Sequence, residues 1–156
     1  MSAALRSELG DFSSIVCFKA VITGMEEALG EKATAIALVS AGRARGKGLA
    51  QDLDLVGHNY SMEELTNKIQ AALGPDGTRL LVLEKLVQEG DNYKAYTRET
   101  VCSSGEPQGS ERKCTFTLGA MQGALEAITG KRFRGRHIES VLRGGQHDVF
   151  EYTPLG

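Results

Sequence analysis

Few residues in this chain have the types and spacing that chemistry needs, and the densest group is a run of cations, Lys131, Arg132, Arg134 and Arg136. In an extended strand the last three share one face, because side chains alternate residue by residue. Three guanidinium groups on one face could clamp a carboxylate or phosphate in bidentate fashion; equally, they could be solvated charge that keeps an edge strand from pairing. A second candidate, Gly42-Arg-Ala-Arg-Gly-Lys-Gly48, has the glycines and cations of a phosphate loop. It lacks the Walker spacing and the Lys-Ser/Thr ending, has no GxGxxG fingerprint and follows no strand. It reads as a glycine-faced helix with cations in solvent, or as a cationic rim beside a pocket. The histidines His58, His137 and His147 are far apart and show neither HxH nor HxxxH spacing. The cysteines Cys17, Cys102 and Cys114 are odd in number and form no CxxC pair, which argues against a disulfide framework or a zinc knuckle and for reduced thiols. No Gly-x-Ser-x-Gly elbow or cysteine–histidine signature is present, so the residues suggest binding without catalysis, and no metal site.

Composition narrows the setting. At 156 residues and 41% hydrophobic, the chain suffices for one well-buried core, and a single domain over 1–156 is expected. A formal charge of −2 gives no global attraction to nucleic acid or to an anionic membrane. The first residues lack the basic start and apolar stretch of a signal peptide, and no run approaches the roughly 20 apolar residues of a membrane span. A cytoplasmic protein is the expectation. The 19 glycines, several inside helical patterns where each costs about 1 kcal/mol, call for close backbone packing.

The elements that must hold these residues follow from periodicity. Ile15, Phe18, Ile22, Met25 and Leu29 mark a first helix ending at Gly30, with Ala20, Gly24 and Ala28 offering a second backbone close approach. A second helix is expected over residues 31–53, kinked or broken where Gly42, Gly46 and Gly48 weaken it. Ser61 and Glu64 form a capping box opening a third helix that runs to Gly74. Leu80-Leu-Val-Leu83 with Leu86-Val87 reads as a central strand, and Gly90-Asp91-Asn92 turns into an alternating partner over 93–101. After a polar loop over 103–113 comes a helix over 115–129, then strands over 133–142 and 147–152. The order ααα-ββ-α-ββ gives an α+β fold: an antiparallel sheet of about four strands with helices packed on one side.

Cys114-Thr-Phe116, the glycines Gly119 and Gly123, and the hairpin with Gly144 and Phe150 resemble the C-terminal cassette of the 4-vinyl reductase, or hydrocarbon-binding, domain family. Ser140 and Asp148 stand where that family usually has two cysteines, so a site built on those thiolates does not carry over. The resemblance implies a fold related to haem-NO-binding domains and to small subunits of vesicle-tethering complexes, and a homodimer. It also implies a hydrophobic ligand, such as a tetrapyrrole or an acyl chain, held by a sensor, carrier or assembly factor. An apolar ligand body is then expected against Phe18, Ile22 and Phe116, with Cys114 and His137 nearby and an anionic group near Arg134 or Arg136. Two alternatives stay open: a pocketless scaffold that binds a partner protein, and an accessory subunit of tetrapyrrole metabolism in which His137 and Asp148 would be the proton donors.

Overall fold

Local signals set the helix ends. In a computed structural model that describes residues 5–156, Ser61 Oγ accepts the Glu64 amide at 3.1 Å while the Glu64 carboxylate accepts the Ser61 amide at 2.8 Å. Residues 1–4, part of the stretch read above as lacking a signal peptide, lie outside the described residues. The first three helices are α1 (Ile15–Leu29), α2 (Glu31–Asp52) and α3 (Met62–Leu73). Strands β1 (Val82–Glu89) and β2 (Asn92–Arg98) follow, then α4 (Phe116–Thr129), β3 (Phe133–Glu139) and β4 (Asp148–Pro154). The strands form one antiparallel sheet in the order β1-β2-β4-β3. This is the expected α+β order, with α3 and α4 on the inner face of the sheet, α2 over α4, and α1 against α2.

Apolar residues alternating along the strands meet the apolar stripes of α3 and α4 in one main core. Leu65, Ile69 and Leu73 come from α3, Met121 and Leu125 from α4, and Phe133, Phe150 and Tyr152 from the sheet. Two polar links tie α4 to the sheet. The Tyr152 hydroxyl donates to Leu118 O at 2.7 Å, and Gln122 Nε2 donates to Phe133 O at 2.9 Å. A buried carboxylate adds a third: Glu126 Oε2 accepts the Phe133 amide, while its Oε1 accepts Nε and a terminal nitrogen of Arg43 on α2. One side chain thereby connects α2, α4 and β3 through charge-assisted hydrogen bonds.

Three sequence expectations are corrected. The second helix is neither kinked into two nor broken, because Gly42 and Gly46 do not weaken a solvated stretch. Cβ atoms there would overlap the backbone of Phe116 and Ala120 on α4, and α4 answers with Gly119 and Gly123 against Val39 and Arg43. Close contact between the two backbones replaces the missing side-chain contacts. The run at Leu80 is not a central strand. Leu80 and Leu81 precede β1, held by their amides on Leu73 O, and β1 is an edge. Its apolar residues are covered by α3, which also satisfies edge amides: Leu83 N donates to Gln70 Oε1 and Leu86 N to Thr66 Oγ1. Finally, Ala20, Gly24 and Ala28 approach no other backbone; they are exposed, with open space beside Gly24.

Gly123→Leu would drive a side chain into the Arg43 carbonyl and should cost at least about 1–3 kcal/mol of stability. The same substitution at Gly24, which faces open space, should cost far less. Thermal melts of the two variants against the parent check both expectations.

Candidate functional site

Because α2 and α4 touch backbone to backbone, side chains beside their crossing must be accommodated to one side, and there the fold leaves room. A second, smaller apolar cluster of Ile22, Leu38 and Val101 forms beneath α1, with Phe18 and Phe116 packed against it. Phe18 and Phe116 meet edge to face with centroids 5.0 Å apart, a favourable geometry for aromatic rings. Next to this cluster lies a cavity of about 660 Å³, floored by Ile22, Leu38, Val101 and Phe116 and walled by residues of the segment 101–116. Its volume falls in the range of small-molecule sites.

The polar groups of the cavity divide into a floor and a mouth. On the floor, Thr34 is 1% exposed and its hydroxyl has no hydrogen-bond partner. Leaving such a group unpaired costs about 1–3 kcal/mol, so a partner for this hydroxyl would be stabilising. At the mouth, the Lys19 ammonium donates to Cys102 O and Ser104 O and lies 3.7 Å from Glu106. Arg112 bridges Glu106 and Glu26. Burial pulls the Lys19 ammonium below its ordinary value against the opposing pull of Glu106, whereas the hydrogen bond from Arg112 holds the Glu106 carboxyl down. Two cations and two carboxylates thus pin the wall to α1.

Behind that wall is a buried polar cluster. His137 Nδ1 accepts the Cys114 amide at 3.3 Å, so its proton is on Nε2, which donates to Asp148 Oδ1 at 3.0 Å. Asp148 Oδ2 accepts the Thr100 hydroxyl at 3.0 Å. Burial alone would raise the Asp148 carboxyl, but the hydrogen bonds from His137 and Thr100 outweigh it and hold the group below its ordinary value. Cys102 and Cys114 are joined by a disulfide with Cα atoms 5.3 Å apart, which corrects the expectation of reduced thiols. They lie 12 positions apart without CxxC spacing; a 3₁₀ turn at Val101–Ser103 and the lead into α4 bring them together. Cys17 is free and exposed.

Among the described residues, Cys102, Cys114 and Asp148 form the group of donors closest to a metal-binding set, with one ligand atom of each within 4.8 Å of the others. While the sulfurs are bonded to each other they carry no thiolate charge, and both Asp148 oxygens already hold hydrogen bonds. The set fits a soft divalent ion only after reduction. Ser140 does not join it: its hydroxyl accepts the Leu142 amide and caps the short turn before Gly144.

The structure brings Phe18, Ile22 and Phe116 together beside the cavity, and Cys114 with His137 behind it. Arg134 and Arg136 are elsewhere. Phe133, Gly135 and His137 face α4, so the arginines between them project from the opposite face of the sheet, where Arg136 pairs with Glu151 at 2.8 Å on the edge strand β3. Sequence reasoning missed Thr34, Leu38 and Val101, which are unremarkable until α2 and the 101–116 wall face each other. It also missed Lys19 and Arg112, which connect α1 to a segment more than 80 residues away.

No protein-family model and no curated protein sequence matches this chain. Its fold is similar to a solved structure, the phenol-responsive sensory domain of the transcription activator PoxR crystallised with phenol. The TM-score is 0.68 at 16% identity, and the match covers 92% of this chain and 75% of that one. At that identity the likeness is one of fold.

The depressed Asp148 carboxyl predicts a pH dependence. Its hydrogen bonds stabilise the native state fully above the ordinary carboxyl value of 3.8 and are lost as pH falls through its lower native value. Asp148→Ala should cost about 1–3 kcal/mol for each donor left unpaired at pH 7. The difference from the parent should shrink below pH 4, as followed by denaturant titrations across pH.

Proposed function

We propose that this chain is a non-catalytic sensory domain, in which a small, mainly apolar molecule binds in the cavity between α1, α2 and the 101–116 wall. The observation that carries this reading is the pairing of an apolar floor with the unpartnered Thr34 hydroxyl inside a cavity of about 660 Å³. The surroundings of Thr34 on the floor are apolar, whereas the charged groups Lys19, Glu26, Glu106 and Arg112 sit at the mouth and pair with one another. Support also comes from the PoxR sensory domain, whose fold this chain shares and which responds to phenol, a small ring with a single hydroxyl.

Ile22, Leu38 and Phe116 would hold the body of the ligand, with Phe18 packed against Phe116 from outside the cavity and Thr34 bonding the ligand's polar group. Cys114 and His137 would act through the wall rather than touch it. A ligand in this cavity meets Lys19 and Arg112 at the mouth, both already paired with carboxylates, and is remote from Arg134 and Arg136. The site therefore suits a neutral or weakly acidic molecule better than a strongly anionic one. A ligand as large as a tetrapyrrole would need the wall to open. Membership of the 4-vinyl reductase family remains the reading that the Cys114-Thr-Phe116 cassette suggests.

Native mass spectrometry of the purified protein, alone and with phenol added, tests the proposal. A one-to-one adduct of the parent is expected, and Leu38→Phe, which fills the cavity floor, should lose it with little change in melting temperature. An adduct retained by that variant would move the ligand elsewhere.

The outer helices carry a second part of the proposal, a homodimer. Val16, Val21 and Leu29 on α1 and Ile36 on α2 are more than half exposed, and a second copy would cover them. Open space beside Gly24 leaves room for a second copy. Sedimentation at micromolar concentration should show a dimer that Val16→Glu with Ile36→Glu converts to a monomer.

A further inference from the structure

From the Cys102–Cys114 pair we infer a second capability, a reversible thiol–disulfide lock that sets the order of residues 101–115. The bond closes this segment at both ends, where Val101 and Cys102 on one side and Thr115 and Phe116 on the other line the cavity. Cys102 itself lines the cavity, so the disulfide lies in the cavity wall.

The surroundings of the pair suit both redox states. A disulfide needs no hydrogen-bond partner, and an apolar cage serves it best. Here the Thr100 hydroxyl lies 2.9 Å from Cys102 Sγ and 3.5 Å from Cys114 Sγ, and an Asp148 oxygen lies within 4.8 Å of both sulfurs. Since the Thr100 proton is committed to Asp148 Oδ2, its lone pairs face the sulfurs and are ready to accept S–H protons. Reduction would therefore leave two thiols with acceptors already in place. In a reducing compartment a bond of this kind is transient and serves as a sensor rather than a staple.

The exchange balances with a low-molecular-weight disulfide as oxidant. One cysteine thiolate attacks that disulfide and expels one small thiol; the other cysteine attacks the resulting mixed disulfide at the protein sulfur and expels the second. Two S–H bonds on the protein become one S–S bond, and the two protons and two electrons leave on the pair of small thiols. Reduction is the reverse. Opening the bond removes a loop constraint from the wall, which then depends on the Lys19 and Arg112 bridges alone at its α1 side.

The chemistry of the lock is independent of the function proposed above, although its consequence for a ligand rests on that reading. The test equilibrates the full chain in buffers of graded glutathione to glutathione disulfide ratio. Free thiols are then blocked and counted by intact mass, and amide hydrogen exchange is measured on the same samples. The expected result is a protein disulfide between Cys102 and Cys114 at the oxidising end, with Cys17 either blocked or carrying one glutathione, and three blocked thiols at the reducing end, joined by a reversible two-electron transition. Exchange within 101–115 should rise by about tenfold or more on reduction while α3 and β2 stay unchanged. Three blocked thiols at every ratio, or equal exchange in both states, would overturn the inference. So would a reduced protein that retains one equivalent of zinc on these thiols, since the pair would then be a cation site. A redox transition without any ligand adduct contradicts the proposed function alone, and an adduct without a transition contradicts the lock alone.

Discussion

Contact between the backbones of α2 and α4 constrains everything else in this fold. Gly42 and Gly46 on one helix meet Gly119 and Gly123 on the other so closely that a methyl group at any of the four would strike a carbonyl. The penalty of about 1 kcal/mol per helical glycine is offset by dispersion along the seam and by the Arg43–Glu126 bridge at its end. Since α4 is bonded to the sheet through Leu118, Gln122 and Glu126, the seam fixes the height of α2 above the sheet. The layer formed by α2 is then too close to α4 for large side chains between them, and α1 must cover the remaining flank. It covers it incompletely: of its residues only Ile22 is fully buried. The cavity is what a rigid seam and a loosely seated helix leave between them.

A consequence is a division of labour between two cores. The larger one, under α3 and α4, is filled by Tyr152, Phe133, Phe150 and their neighbours and supplies most of the apolar burial. The smaller one, with Ile22, Leu38 and Val101, is a thin layer whose wall is held by the Cys102–Cys114 disulfide and by ion pairs to α1. Ion pairs of partly exposed groups contribute little each, so the α1 side of this wall yields more readily than the packed frame. A movable wall next to a fixed frame is what the proposed sensory role requires.

Much of the frame was legible in the sequence because its signals are local. The capping box at Ser61, the stop at Gly30 and the left-handed Gly130 after α4 each depend on a few adjacent residues. The close approach at Gly123 was also readable, since Gly119 and Gly123 share a face apart from the Leu118, Met121 and Leu125 stripe. The expected break in α2 failed for a related reason: a glycine row weakens a lone helix but strengthens one that has a matching row to meet. The edge position of β1 was hidden because Thr66 and Gln70, which cover it, belong to another element. The disulfide and the mouth of the cavity were illegible because their partners are brought together only by the fold. Of the candidate site, Phe18, Ile22 and Phe116 were named from their types and do converge, while the arginines were drawn in by density of charge alone and face away.

Methyl-resolved NMR of the full chain, titrated with phenol, bears most directly on whether the cavity beside α1 receives a small apolar ligand. Binding there predicts saturable shifts at Ile22, Leu38 and Val101, together with the Thr34 methyl, and little change at Leu65, Ile69 and Leu125 in the filled core. Shifts confined to the core methyls, or none at millimolar phenol, would contradict it.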